Sequence, residues 1–248
     1  MSMKAIVLAG GYAKRLWPLT QEQAKPLVGV GGRPIVSYIL DKLDKSKHVE
    51  EIIISTNSKF ETDFKAWLKT QNFSKPVKLS IEKTNHEGEK LGAIRGLNFV
   101  LGSQGIEDDF IVIGGDNLLA LDVDKMVADF QHVQNPVVAA YDVGDLETVK
   151  RFGEILKDKN NKMLRLREKP AQPESTLLSA CCYIFPKACR DTINEYISAG
   201  NNPDATGFFI SWLAQKTDVF VHVFDGYWFD IGDHATLEKA REFAKKNL

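Results

Sequence analysis

Apolar and polar residues follow a regular order along the first 141 residues, and this order predicts strands that alternate with helices. Short apolar runs predict buried strands, because a parallel strand covered on both faces has no polar side. Apolar residues spaced three and four apart predict helices with one buried face. The predicted strands are residues 5–9, 51–56, 77–82, 110–113 and 136–141, and the predicted helices lie near 35–43, 60–68, 93–101 and 123–130. This alternation is typical of a mostly parallel sheet with helices on both faces.

The pattern becomes rich in predicted strands after residue 141. The strands are expected at residues 153–157, 163–167, 177–185 and 219–224, with a short helix near 146–151 and helices after Pro186, at 204–213 and at 234–246. We interpret residues 142–185 as a β-rich lid or subdomain inserted into an α/β core. No internal repeat or linker divides the chain.

Composition excludes several classes of partner. Of 248 residues, 32 are Lys or Arg and 33 are Asp or Glu, so no overall field attracts nucleic acid or an anionic membrane. Any anion site must therefore be local. Three cysteines make no disulfide framework and match no zinc spacing, as expected for reduced thiols. The apolar run near the N-terminus is too short for a signal peptide or a membrane span, and we expect a cytoplasmic protein.

The first candidate site follows the first predicted strand. Gly10 and Gly11 let the backbone approach a ligand, and Arg15 and Lys25 supply nearby cations. Together they predict a phosphate cradle for a nucleoside triphosphate. The alternative is a plain strand-to-loop turn with a solvated basic loop.

Two aspartates form the second candidate site. Asp116 and Asp230 each follow an apolar run and lie next to glycine, so both could reach one edge of the sheet and bind Mg²⁺. Spacing alone leaves their convergence open, and each could instead cap a helix. Asp233 is the better candidate for a cap, since it precedes the final predicted helix.

The third candidate site is Glu168 with Lys169. A carboxylate can accept two hydrogen bonds from sugar hydroxyls, and a neighbouring lysine can neutralise a phosphate. The alternative is an exposed edge strand with alternating polarity.

Motifs in these stretches resemble those of the sugar-phosphate nucleotidyltransferases, also called nucleotide-sugar pyrophosphorylases. The motifs are L-A-G-G, R-L-x-P-L-T and K-P at residues 8–11, 15–20 and 25–26, G-D at 115–116, R-[YF]-G at 151–153, E-K-P at 168–170 and W-x-D-x-G at 228–232. The resemblance extends from residue 3 to about residue 239. Within this family, the sequence is most similar in style to glucose-1-phosphate thymidylyltransferases and uridylyltransferases and to mannose-1-phosphate guanylyltransferases.

This resemblance implies a fold and a reaction. The implied fold is a Rossmann-like three-layer α/β sandwich with a mostly parallel mixed sheet and a β-rich sugar-binding insertion. One domain would cover residues 1–248, with a nucleotide-binding half at about 3–141, a sugar-binding half at about 142–233 and a C-terminal helix at 234–248. The implied reaction is Mg²⁺-dependent transfer of a nucleotidyl group from a nucleoside triphosphate to a sugar 1-phosphate. Whether the chain forms homo-oligomers is open.

The resemblance also implies roles for individual residues. Arg15 would hold the β and γ phosphates, Lys25 the α phosphate, and Asp116 would complete the catalytic set. Residues implied to contact the nucleotide are Leu8, Ala9, Gly10, Gly11, Lys14, Glu82 and Gly92. Residues implied to contact the sugar phosphate are Gly153, Glu168, Lys169 and Ala180. Asp116 and Asp230 are implied to bind Mg²⁺.

Departures from the family pattern leave the substrates undetermined. Ala13 replaces a glycine of the loop that is expected to need a positive φ, and residues 88–93 keep only part of the base-reading segment. Cys181 stands where the family often has glycine against the sugar. We expect glucose 1-phosphate with dTTP or UTP. The alternatives are mannose 1-phosphate with GTP, a cytidylyltransferase for a phosphorylated alcohol, and a non-catalytic subunit that binds nucleotide sugar.

Overall fold

A central mixed sheet of nine strands organises the protein, for which a computed structural model describes residues 2–248. The strands are β1 (Met3–Leu8), β2 (Gly29–Val30), β3 (Arg33–Pro34), β4 (Val49–Asn57), β5 (Val77–Glu82), β6 (Phe110–Gly114), β7 (Asn117–Leu119), β8 (Val137–Asp142), β9 (Gly153–Lys157), β10 (Met163–Glu168), β11 (Leu177–Phe185), β12 (Phe220–Val223) and β13 (Trp228–Asp230). Each predicted strand is present. The two short ribbons β2–β3 and β7–β13 lie outside the central sheet and were not predicted.

Eight α-helices lie within residues 2–248. They are α1 (Ile35–Lys45), α2 (Glu61–Leu68), α3 (Ala93–Ser103), α4 (Val123–Val133), α5 (Leu146–Val149), α6 (Cys189–Ser198), α7 (Thr206–Leu213) and α8 (His234–Asn247). Asp233 caps α8, because its Oδ1 accepts a hydrogen bond from the backbone N of Thr236 at 2.9 Å. The predicted cap is thereby confirmed. No helix within residues 2–248 has the length and apolar character needed to cross a membrane.

Strand order explains why the carboxyl ends of β1 and β6 meet. The main path is β10-β9-β11-β6-β1-β4-β5, in which β6, β1, β4 and β5 run parallel and β11 runs antiparallel to β6. β8 pairs with β11 and with β12. The segment that we interpreted as an inserted β-rich subdomain therefore extends the central sheet, since β9 and β10 join it through β11.

Both faces of the sheet are buried, as the apolar runs predicted. On β1, Val7 packs into the cluster that contains residues of α1, α2 and α4, whereas Ile6 packs into the cluster that contains residues of α3, α6 and α7. A third apolar cluster lies beneath α8 and includes Leu118 of β7 and Ile231, which follows β13. This cluster fixes the β7–β13 ribbon beside the carboxyl ends of β1 and β6.

Candidate active site

Neighbouring strands hold the glycine loop that follows β1. The backbone N of Ala9 donates to the carbonyl of Ser55 at 2.8 Å, and Nδ2 of Asn57 donates to the carbonyl of Gly10 at 3.0 Å. On the other side, the backbone N of Gly115 donates to the carbonyl of Leu8 at 2.8 Å. The loop is therefore anchored to both parallel neighbours. A Cβ on Gly11 would contact nothing within 4 Å, so the backbone is open to a ligand at that residue.

Ala13 adopts the left-handed conformation that was expected at its position. Its φ is 47° and its ψ is 46°, and its carbonyl accepts a hydrogen bond from Oγ1 of Thr20 at 2.8 Å. A left-handed conformation costs a residue with a Cβ about 1–2 kcal/mol. The next residues, Lys14 and Arg15, form a single turn that leaves both basic side chains exposed.

Lys25 forms an ion pair with Oδ2 of Asp116. The lysine side chain is 14% exposed. Burial lowers the pKa of Lys25, but the carboxylates of Asp116 and Asp230 outweigh burial, and the pKa is raised overall. Lys25 is consequently held as a cation beside the glycine loop.

The β7–β13 ribbon brings the two aspartates together. Asp230 lies opposite Asn117 in the antiparallel register, and the backbone N of Ile231 donates to the carbonyl of Asp116 at 3.1 Å. Burial, followed by repulsion from Asp116, raises the pKa of Asp230. Neither aspartate caps a helix, so that alternative is wrong.

Arg15 reaches the same place as Asp230. A Cβ on Gly232 would lie 3.1 Å from Nη2 of Arg15 and 3.5 Å from Oδ2 of Asp230. The absence of a side chain at Gly232 therefore leaves room for both groups. The structure brings together the four charged residues Arg15, Lys25, Asp116 and Asp230.

The two carboxylates fit a Mg²⁺ ion with few protein ligands. Within the described part of the chain, no group of three or more His, Cys, Asp or Glu side chains could hold a metal ion. Mg²⁺ commonly binds through one or two carboxylates and completes its shell with water and substrate phosphates. Asp116 and Asp230 supply that donor set, and the cations beside them suit phosphates.

Glu82 lies on the side of the glycine loop away from the aspartates. A Cβ on Gly10 would be 3.5 Å from Oε1 of Glu82, and a Cβ on Gly96 of α3 would overlap the same atom. Burial raises the pKa of the Glu82 carboxyl to about 7. Gly92, at the start of α3, has a φ of 82° and packs against the backbone of Pro203.

Glu168 occupies a slot between two glycines. It lies opposite Gly153 in the β9–β10 register, and a Cβ on Gly153 would be 3.2 Å from its Oε2. A Cβ on Gly207 of α7 would be 3.3 Å from Cδ of Glu168 and would overlap Oε2. Burial raises the pKa of Glu168, with Lys169 opposing the shift.

Lys169 and Ala180 differ in their access to the site. Lys169 is exposed, has a φ of 48°, and donates its backbone N to the carbonyl of Phe152 at 2.9 Å. Ala180 is fully buried, and its methyl group belongs to the apolar core. The neighbouring Cys181 faces the site instead, since its Sγ would be 3.0 Å from a Cβ on Gly114. The structure therefore does not present the Ala180 side chain to a ligand.

The sequence did not single out Gly96, Gly207 or Asn117. A glycine inside a helix costs about 1 kcal/mol relative to alanine. The presence of Gly96 and Gly207 in predicted helices therefore weakly indicated a packing or functional role for each. There was no such indication for Asn117, because an asparagine after an aspartate is typical of a turn.

Comparisons with known proteins show the family and the fold of the chain. Residues 4–247 match the family model described as nucleotidyl transferase. The chain is 29% identical over 247 residues to the bifunctional protein GlmU of Methanococcus aeolicus, covering 99% of this chain and 55% of the relative. It is 30% identical over 230 residues to a protein assigned as a mannose-1-phosphate guanyltransferase in Sulfolobus acidocaldarius, covering 93% of this chain and 60% of the relative. The chain thus spans little more than half the length of these relatives.

A solved structure also matches the whole chain. It is a protein assigned as a glucose-1-phosphate thymidylyltransferase from Bacillus anthracis, in complex with sucrose. The TM-score is 0.87 at 25% sequence identity, and the match covers 100% of this chain and 97% of that protein. The expected α/β architecture is confirmed.

Proposed function

The chain belongs to the nucleotidyl transferase family, and on this premise we propose that it joins a nucleoside triphosphate to a sugar 1-phosphate, releasing pyrophosphate and a nucleoside diphosphate sugar. The observation that carries the proposal is the convergence of Arg15, Lys25, Asp116 and Asp230 beside the glycine loop. Two cations and two carboxylates at one sheet edge suit triphosphate chemistry.

In the proposed reaction, an oxygen of the sugar phosphate attacks the α phosphorus. The bond from that phosphorus to the oxygen bridging the α and β phosphates breaks, and this oxygen leaves with pyrophosphate. The chain's task is to position two anions and stabilise charge, since no covalent intermediate is needed. Lys25, held as a cation, neutralises the α phosphate, and the exposed guanidinium of Arg15 binds the departing pyrophosphate. Asp116 and Asp230 would hold Mg²⁺, which when bound would neutralise charge on the phosphates.

The acceptor lies on the β9–β10 side of the site. Glu168 accepts hydrogen bonds from sugar hydroxyls, and the backbone at Gly153 lines the same slot. The ammonium of Lys169, which is an exposed residue, binds the sugar phosphate. Ala180 contributes only by shaping the strand from which Cys181 projects.

We propose glucose 1-phosphate with dTTP or UTP as substrates, in keeping with the name of the Bacillus anthracis protein. The alternative pair is mannose 1-phosphate with GTP, which the name of the Sulfolobus acidocaldarius relative favours. Glu82, beside Gly10, is the proposed contact to the nucleotide on the side of the base.

Pyrophosphate release over a matrix of triphosphates and sugar 1-phosphates with Mg²⁺ tests the proposal. One pair should turn over much faster than the rest. Lys25→Ala and Asp116→Ala should each lower turnover by about 10² to 10³ while the fold is retained. If no pair reacts but a nucleotide sugar still binds, the chain is a non-catalytic binding subunit and the proposal is wrong.

A further inference from the structure

Asn117, the residue after Asp116, has both ends of its side-chain amide engaged. Nδ2 donates to Oδ1 of Asp116 at 3.0 Å and to the carbonyl of Gly114 at 3.4 Å. Oδ1 accepts a hydrogen bond from Nε1 of Trp228 at 2.9 Å. Only 1% of the residue is exposed, so water cannot replace these partners.

Trp228 fixes which way this amide points. An indole N–H can only donate a hydrogen bond, so the atom that faces it must be the amide oxygen. The NH₂ group is then directed at the carboxylate of Asp116. The indole is itself held in place, because its ring packs edge-on against Phe152 with the centroids 4.9 Å apart.

The carboxylate of Asp116 is held at both oxygens. Oδ1 accepts from Asn117 and Oδ2 pairs with Lys25. An ionised carboxylate offers about four lone-pair positions, so two such contacts leave positions for a metal ion. With Lys25 as its only partner, the carboxylate could rotate about its bond to Cβ. The contact from Asn117 therefore sets the plane of the carboxylate.

We infer that Asn117 is a positioning residue for the proposed metal ligand Asp116, and that Trp228 acts through Asn117 by fixing its amide. The inference rests on the proposed function, since it assumes that Asp116 binds Mg²⁺. It adds two residues that act on the metal through Asp116. It also connects the metal side to the acceptor side, because Trp228 packs on Phe152, the neighbour of Gly153.

Loss of a hydrogen-bonded partner behind a metal ligand typically lowers metal affinity about 10- to 100-fold. The variant Trp228→Phe keeps an aromatic ring on Phe152 and removes the N–H. The amide oxygen of Asn117 then loses its partner, and only the contacts of its NH₂ group with Asp116 and Gly114 still hold the amide in place. We expect weaker metal binding with the fold retained.

The test is a Mn²⁺ titration of the full chain, with free Mn²⁺ measured by electron paramagnetic resonance. Trp228→Phe and Asn117→Ala should each bind Mn²⁺ about 10- to 100-fold more weakly than wild type. Asp116→Asn, which removes a ligand, should bind more weakly still. Turnover of Trp228→Phe should recover when Mg²⁺ is raised by the same factor, which a general loss of structure would not allow.

Trp67 supplies a matched control. Its Nε1 is buried and has no hydrogen-bond partner within residues 2–248, so Trp67→Phe removes an N–H that contacts no acceptor. This variant should bind Mn²⁺ like wild type. If Trp228→Phe also binds like wild type while Asp116→Asn does not, the inference is wrong and the proposed metal site stands. If Asp116→Asn itself binds like wild type, the proposed metal site fails and the inference fails with it.

Discussion

Replacing Gly207 with alanine should displace the carboxylate of Glu168 without unfolding the protein. Gly207 lies in α7, where the added Cβ would be 3.3 Å from Cδ of Glu168 and would overlap Oε2. The overlapping atom is at the end of a flexible side chain, so the glutamate can move at little cost. Alanine also favours a helix over glycine by about 1 kcal/mol. We therefore expect the unfolding free energy to change by no more than about 1 kcal/mol.

Gly207→Ala should weaken binding of the sugar 1-phosphate much more than it changes the unfolding free energy. A hydrogen bond to a charged group contributes about 1.5–3 kcal/mol, and about 1.4 kcal/mol corresponds to a tenfold change in affinity. If Glu168 binds the sugar hydroxyls, loss of one such contact should lower kcat/KM for the sugar 1-phosphate about 10- to 100-fold. The KM for the triphosphate should stay unchanged, since Glu82 and the glycine loop are untouched.

The assay is steady-state pyrophosphate release with the sugar 1-phosphate varied at saturating triphosphate. Gly102→Ala is the matched control, because Gly102 also lies in a helix and its added Cβ would contact nothing within 4 Å. That variant should keep wild-type kinetics. Wild-type kcat/KM in Gly207→Ala would refute the reasoning, because it would mean that the position of Glu168 does not matter to the acceptor.

Three further predictions test the stability arguments, the last with a control substitution. Ala13→Gly should raise the unfolding free energy in urea by up to about 1 kcal/mol, because relief of the left-handed alanine exceeds the entropy cost of glycine. Burial raises the pKa of Glu82 from 4.5 to about 7. The contribution of Glu82 to the free energy of unfolding is therefore fully present below pH 4.5 and is lost as pH rises through 7. Relative to Glu82→Gln, the wild type should therefore lose stability across that window, by at most about 1.4 kcal/mol per pH unit; a constant difference would exclude the raised pKa. Lys75→Met removes an ammonium that donates to three carbonyls at the C-terminus of α1 and should cost about 1–3 kcal/mol in urea unfolding. The control Lys65→Met removes an exposed ion pair and should lower the unfolding free energy by less than about 0.5 kcal/mol. If both variants lost the same stability, the contacts of Lys75 would not stabilise the C-terminus of α1.

The strands of the parallel core could be predicted because their burial is two-sided. Ile6 and Val7 enter opposite apolar clusters, so a strand with no polar side was visible as an apolar run. The β7–β13 ribbon could not be predicted in the same way. Its strands have three residues each, too few to show a period, and their pairing joins Asn117 to Asp230 across more than 100 residues.

The amino-acid sequence by itself determined which groups are available: the glycine loop after β1, the two cations that follow it, and the carboxylates of Asp116, Glu168 and Asp230. Periodicity encodes whether a residue is buried, so it also determined the alternation of strands and helices. Only the tertiary structure decided which of these groups meet. The β7–β13 ribbon sets the approach of Asp230 to Asp116, and Gly207 makes the slot for Glu168. Such contacts depend on how segments remote in the sequence pack against each other, and the local sequence does not determine that packing.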